Sequence, residues 1–188
     1  MKALKMTALT VLVATSPAMA LAMDFELSLT NESAKGQLNF TGPQSDINVA
    51  SGYTYHEGRR HILNVDFHAK GRTAIGNLPT TAGIGVQGIG WDQEKLDGGA
   101  VGIGGYAVIN FPEVPGLSFR AAGHFAPSIL SFGDSDDMAS FETSINYRVI
   151  RNAEIFGGYR YLETELELPR TPDLTLDEGV MGGIRLYF

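Results

Sequence analysis

From about residue 24 to the last residue, apolar and polar side chains alternate in short runs separated by turn-forming residues, and 3.6-residue periodicity is hard to find. The pattern predicts an all-β chain. Candidate strands run over Asp24–Thr30, Gln37–Thr41, a third marked by Ile47, Val49, Tyr53 and Tyr55, and a fourth marked by Leu63, Val65, Phe67 and Ala69. Six more follow: Thr81–Trp91, Ala100–Phe111, Leu117–Ala126, Met138–Val149, Ala153–Thr164 and Gly179–Phe188. The last carries Val180, Gly182, Ile184, Leu186 and Phe188 on one face and Met181, Gly183, Arg185 and Tyr187 on the other. Alternation running up to a terminal aromatic is how a bacterial outer-membrane barrel ends, with Val180, Gly182, Ile184, Leu186 and Phe188 as its membrane-insertion signal.

The expected fold is therefore a closed antiparallel up-and-down transmembrane β-barrel of ten strands. Hydrocarbon offers backbone groups no hydrogen-bond partner, so strands that cross it must close on themselves. With both termini in the periplasm, the external loops are Asn31–Gly36, Glu57–Arg60, Asp92–Gly99, Pro127–Asp137 and Glu165–Glu178. Periplasmic turns fall at Gly42–Ser45, Gly71–Thr80, Pro112–Gly116 and Ile150–Asn152. Gly71–Thr80 is longer than a periplasmic turn should be, which leaves an eight-strand alternative that omits the weakly patterned amino-terminal pair. Aromatics near strand ends (Tyr53, Tyr55, Phe111, Tyr147, Tyr159 and Tyr161) fit interfacial girdles.

The amino terminus gives an independent indication of compartment. Lys2 and Lys5 precede an apolar run from Met6 to Val13 and then Ala18-Met19-Ala20, the form of a cleaved secretory signal. Cleavage is expected after Ala20, with Ala22 as the alternative, leaving residues 21–188 as the barrel. The run is too short and too interrupted for a spanning helix, which needs about twenty predominantly apolar residues. Removing residues 1–20 takes two of the 14 basic side chains and none of the 21 acidic ones, so the formal charge moves from −7 to −9. Nucleic acid is an unsuitable partner for such a surface. The absence of cysteine excludes disulfides, thiolate metal sites and Cys nucleophiles.

Several motifs have a chemical form without its context. Gly83-x-Gly85-x-x-Gly88 spells a dinucleotide fingerprint, yet it lies inside a strand and no helix follows to receive a pyrophosphate. His56-Glu57-Gly58-Arg59-Arg60-His61 spaces its histidines by five, where a helical zinc site needs four, and it reads as a hairpin tip. Asn31-Glu32-Ser33 matches a glycosylation sequon that a bacterial chain would not use. His124 has Ser128 four residues along and His68 has no nearby serine, so neither has the His-x-Ser spacing of a barrel lipid hydrolase. No catalytic residue, metal ligand or cofactor is expected.

If the alternation holds, Asp66, His68, Arg120, His124, Glu142, Arg148, Glu154, Arg160 and Arg185 face the interior. Buried charges need partners. Asp66, Arg120, Glu142, Arg148, Arg160 and Arg185 are thus expected to form a lumen charge cluster with a structural, ion-pairing role. The acids Asp134, Asp136, Asp137, Glu165, Glu167, Asp173, Asp177 and Glu178 read as a solvated external rim, with divalent-cation bridging to lipopolysaccharide as the alternative.

From about Gly71 onward the chain resembles the YfaZ family of Gram-negative outer-membrane proteins, through TAGIGVQGIGWDQ, GGAVGIGGYAVINFP, FGGYRYLETE and the closing EGVMGGIRLYF. The resemblance implies an outer-membrane barrel and supplies no catalytic or binding residues. The expected function is that of a small, monomeric outer-membrane barrel with a structural or narrow-pore, porin-like role and no enzymatic activity. Its expected partners are outer-membrane lipids, lipopolysaccharide and, during insertion, the barrel-assembly machinery. The alternatives are a lipid-modifying barrel enzyme and a soluble exported β-barrel binding protein, whose apolar face would point inward.

Overall fold

The computed structural model of the chain describes residues 22–41, 46–94, 96–166 and 173–188. The expected signal segment and the turn Gly42–Ser45 lie outside the described residues. So does the middle of the last external loop.

Alternating sequence becomes strand wherever it was expected. The strands are β1 (Ala22–Leu29), β2 (Ser33–Thr41), β3 (Ile47–His56), β4 (Arg60–Ile75), β5 (Leu78–Gln93) and β6 (Leu96–Asn110). They continue with β7 (Leu117–Ala126), a short β8 (Ser131–Gly133), β9 (Ser135–Ile150), β10 (Ala153–Leu166) and β11 (Leu174–Tyr187). Every pairing is antiparallel, and ten strands form an up-and-down ring in which β11 returns to β1 through Phe25↔Leu186 and Leu27↔Ile184. Closure leaves the ring without a free edge. β8 stands outside it, paired with Gly98–Ala100 of β6.

Two expectations change. The amino-terminal strands β1 and β2 are integral to closure, so the eight-strand alternative is set aside. The troublesome stretch Gly71–Thr80 is not a long turn: β4 and β5 stay paired down to Ile75↔Leu78 and reverse over Gly76 and Asn77. Gly76 has φ 61°, which a type II′ hairpin needs at its first turn position.

The barrel has two distinct ends. Its terminal end holds the start of β1, the finish of β11 and the reversals at Gly76–Asn77, Phe111–Gly116 and Arg151–Asn152; its loop end holds the connections after β1, β3, β5 and β7, the last with a 3-10 turn at Ser128–Leu130.

The radial distribution of side chains is inverted relative to a soluble protein. Leu63, Val65, Phe67, Ile84, Ile103, Ile145, Ile155 and Val180 are exposed on the outer wall, Ile103 at 61% and Val180 at 76%. Ala107 and Ile109 continue the outward row half-buried. Facing inward, Asp66 is 5% exposed and Arg185 7%. A monomer in water rarely exposes so continuous an apolar belt. Tyr53 and Tyr55 project from the loop-end half of β3 and Tyr147 from the terminal end of β9.

Apolar side chains also fill part of the interior. Ile62, Ile89, Trp91, Met138, Leu162 and Leu176 pack into one buried cluster in the loop-end half, with Leu96, Leu166 and Leu174 against it. The Trp91 indole donates to Ser135 Oγ at 2.8 Å, which satisfies its buried N–H.

Candidate functional site: the barrel interior

On both sides of the apolar layer the inner wall is polar, and its groups are matched in tiers. Nearest the loop end, Arg60 Nη1 donates to the carbonyls of Thr175 (2.7 Å) and Leu176 (2.5 Å), while its Nε donates to Gln93 Oε1 at 2.8 Å. Arg160 follows, its Nε 2.7 Å from Asp177 Oδ2, with Nη1 and Nη2 donating to the hydroxyls of Ser28 and Ser33 at 3.1 Å. Asp177 is 2% exposed and belongs to this interior pair. Its expected place in the external acidic rim is thereby corrected, as is the placing of Arg60 at an external hairpin tip. Both lie on strands longer than the sequence pattern indicated.

In the middle tier, Asp66 accepts from Asn64 Nδ2 and Gln87 Nε2, each at 2.6 Å, and Ser140 Oγ donates to Gln87 Oε1 at 2.9 Å. Glu142 lies 3.4 Å from Lys35 Nζ. At the terminal end, Arg185 is gripped by carboxylates on two sides: Nη2 donates to Glu26 Oε2 at 2.5 Å and Nη1 to Glu154 Oε1 at 2.7 Å. Asp24 Oδ1 stands 3.7 Å from its Nε, and Tyr187 donates to Glu154 Oε2 at 3.0 Å. Arg148 lies at the rim, 3.7 Å from Glu154 and over the Tyr187 ring at 4.7 Å.

Between the middle and terminal tiers, one row of the sheet reads His68, Gly85, Gly104, His124 across four neighbouring strands. Two glycines floor the gap between two histidines. The imidazoles arch over that floor and meet, Nε2 to Nε2, at 2.8 Å, so one ring donates and the other accepts. A Cβ on Gly85 would lie 2.0 Å from the Phe67 carbonyl oxygen, and one on Gly104 would lie 2.0 Å from that of Gly123 and 2.8 Å from the His124 ring. The glycine-rich strands therefore permit close backbone approach and clear space for the histidine bridge. Tyr106 stands edge-on to His68 at 5.3 Å, above Gly83, where a Cβ would strike its ring.

All nine charged or imidazole side chains expected inside line the cavities of this interior. One cavity of about 80 Å³ is lined by Asp66, His68, His124, Glu142, Arg160 and Arg120, among others. A second, of about 320 Å³, opens at the terminal end and is lined by Arg148, Glu154, Arg185 and again Arg120. Glu26, Lys35 and Asp177 are partners that the sequence reading missed; inward parity on their strands was the available signal. Within the lumen cluster, Asp66 is held by amides, Glu142 by Lys35, Arg160 by Asp177 and hydroxyls, and Arg185 by two glutamates. Arg120 has no carboxylate within 4 Å among the described residues. The even-numbered positions of the closing strand face outward, from Val180 to Ile184 and the terminal Phe188, while Met181 and Arg185 point in.

No curated protein matches the chain. The YfaZ precursor family model matches residues 1–188, through the amino-terminal third as well as the glycine-rich strands. A match that spans the whole chain shows that it belongs to the YfaZ precursor family.

Proposed function

We propose that the chain is a small outer-membrane β-barrel protein of a Gram-negative bacterium, with a structural or narrow-passage role and no catalytic activity. The observation that carries this reading is the inverted wall: exposed Leu, Ile, Val and Phe outside, buried charges and amides inside. In water that arrangement would leave an apolar belt solvated; in lipid it buries the belt and shields the charges. A soluble exported barrel would need the opposite parity. The description of the family as a precursor supports a cleaved signal over residues 1–20, with 1–22 as the alternative.

The terminal end then faces the periplasm and the loop end the exterior. Outer-membrane lipid and lipopolysaccharide surround a monomer, which the barrel-assembly machinery inserts by reading the alternation that ends in Phe188. Because the apolar layer around Trp91 closes the loop-end half, passage is negligible or confined to small steps. Fractionation followed by carbonate extraction tests residence: the protein stays with the outer membrane, and its release would overturn the proposal. In planar bilayers the purified protein gives no steady conductance or only small steps, and large stable steps would contradict the closed interior.

A further inference from the structure

The terminal-end cavity is unlike the rest of the interior, because two of its cations lack acidic partners. Its lining includes Lys70, Arg120, Arg148 and Arg185 against Asp24 and Glu154. Those acids are occupied. Glu154 holds Arg185 and Arg148 and accepts from Tyr187, while Asp24 accepts from Asn39 at 2.7 Å and faces Arg185. Arg120 and Lys70 remain, and neither has a carboxylate within 4 Å among the described residues.

Arg120 is the more telling of the two. It lines both cavities at the level where they meet, its guanidinium lies 5.3 Å from the Tyr106 ring centroid, and its buried Nε has no hydrogen-bond partner. A buried donor on a permanent cation costs stability unless something accepts from it. The Tyr106 hydroxyl also has no protein partner among the described residues. Lys70, Gly83 and Tyr106 share one row of the sheet, the glycine leaving room between a cation and a phenol. His68 and His124 line the neighbouring smaller cavity, one inward step toward the loop end, and the larger space opens at the terminal end. Donors therefore converge on a roomy cavity whose carboxylates are already engaged, within a chain of formal charge −7.

We propose that this well binds a small oxyanion, a carboxylate or a phosphate, with Arg120 as the principal anchor and Tyr106 and Lys70 as supporting donors. Guanidinium presents paired N–H groups to either kind of anion, in the planar geometry that both accept. The inference concerns the cavity and goes beyond residence in a membrane or conduction.

The test uses the full mature chain in detergent micelles, titrated separately with inorganic phosphate and with succinate by calorimetry. Saturable binding of at least one is expected, and the arm that responds identifies the class. R120Q weakens it about tenfold or more, whereas R151Q, at an exposed terminal-end turn, leaves it unchanged. Should R120Q fail to give a folded barrel, Y106F and K70Q each weaken binding severalfold. No saturation with either anion, binding undiminished in a folded R120Q, or unchanged binding in both Y106F and K70Q would overturn the proposal. Micelle titration reads the cavity whether or not the protein conducts, so its failure is distinguishable from failure of the envelope role.

Discussion

The two halves of the barrel interior are made by the same alternation and end up as different materials. In the loop-end half, inward positions carry Ile62, Trp91, Met138, Leu162 and Leu176, which pack as the core of a soluble protein would. In the terminal-end half they carry Asp24, Arg120, Glu154 and Arg185 around a cavity of about 320 Å³, with Glu26 bonded to Arg185. One half excludes water by filling space, and the other pairs most of its charges and leaves Arg120 and Lys70 without an acid. Closure therefore fixes which side chains meet without dictating whether they form a plug or a well.

The largest effect is expected where pairing is broken. Arg185→Ala leaves Glu26 and Glu154 buried without their cation and should cost about 4 kcal/mol, read as a lower urea midpoint in micelles. Replacing all three together, as R185M with E26Q and E154Q, should restore most of that loss. If the single variant is as stable as the parent, the terminal-end half is not held by its ion pairs.

Emptying the other half comes next. Trp91→Ala removes the largest member of the plug and should cost about 3 kcal/mol. It should also raise conductance in planar bilayers, and a variant that stays silent would place the seal elsewhere. A third change contrasts wall with interior: Ile103→Arg puts a cation mid-strand on the exposed apolar belt and should cost about 2 kcal/mol in bilayers. In the proposed membrane setting its penalty should shrink in loosely packed detergent. The smallest effect belongs to Arg148→Ala, whose side chain is 48% exposed at the terminal rim and whose loss should stay within about 1 kcal/mol. A cost approaching that of Arg185→Ala would mean the rim is as dry as the interior.

Much of this arrangement was legible before any coordinates. Where outward residues are apolar and inward ones polar, as in Leu63 to Ala69 or Val180 to Phe188, parity alone assigns each side chain to its face. It placed Asp66, Arg120, Glu142, Arg160 and Arg185 inside. The same logic fails where both faces carry similar residues. Ile62 beside Leu63, or Met138 within its polar flank, gives no contrast, so a plugged interior was expected to be polar and its apolar layer was not foreseen. Strand ends were misjudged for a related reason: beyond the apolar belt, cross-strand hydrogen bonding extends β4 from Arg60 to Ile75 and starts β11 at Leu174, among residues whose polarity reads as loop. Asp177 and Arg60 were read as loop residues on that account.

By itself the sequence determined the fold class and the parity of the faces, because both follow from a local period repeated along the chain; the choice of ten strands over eight waited on the pairing of β1 with β2 and β11. Only the tertiary structure decided which residues stand at one level of the ring. That level brings His68 to His124 across Gly85 and Gly104, gives Arg185 its two glutamates and leaves Arg120 without an acid. Register between strands is set by turns and by packing around the whole circumference, and no local period encodes it.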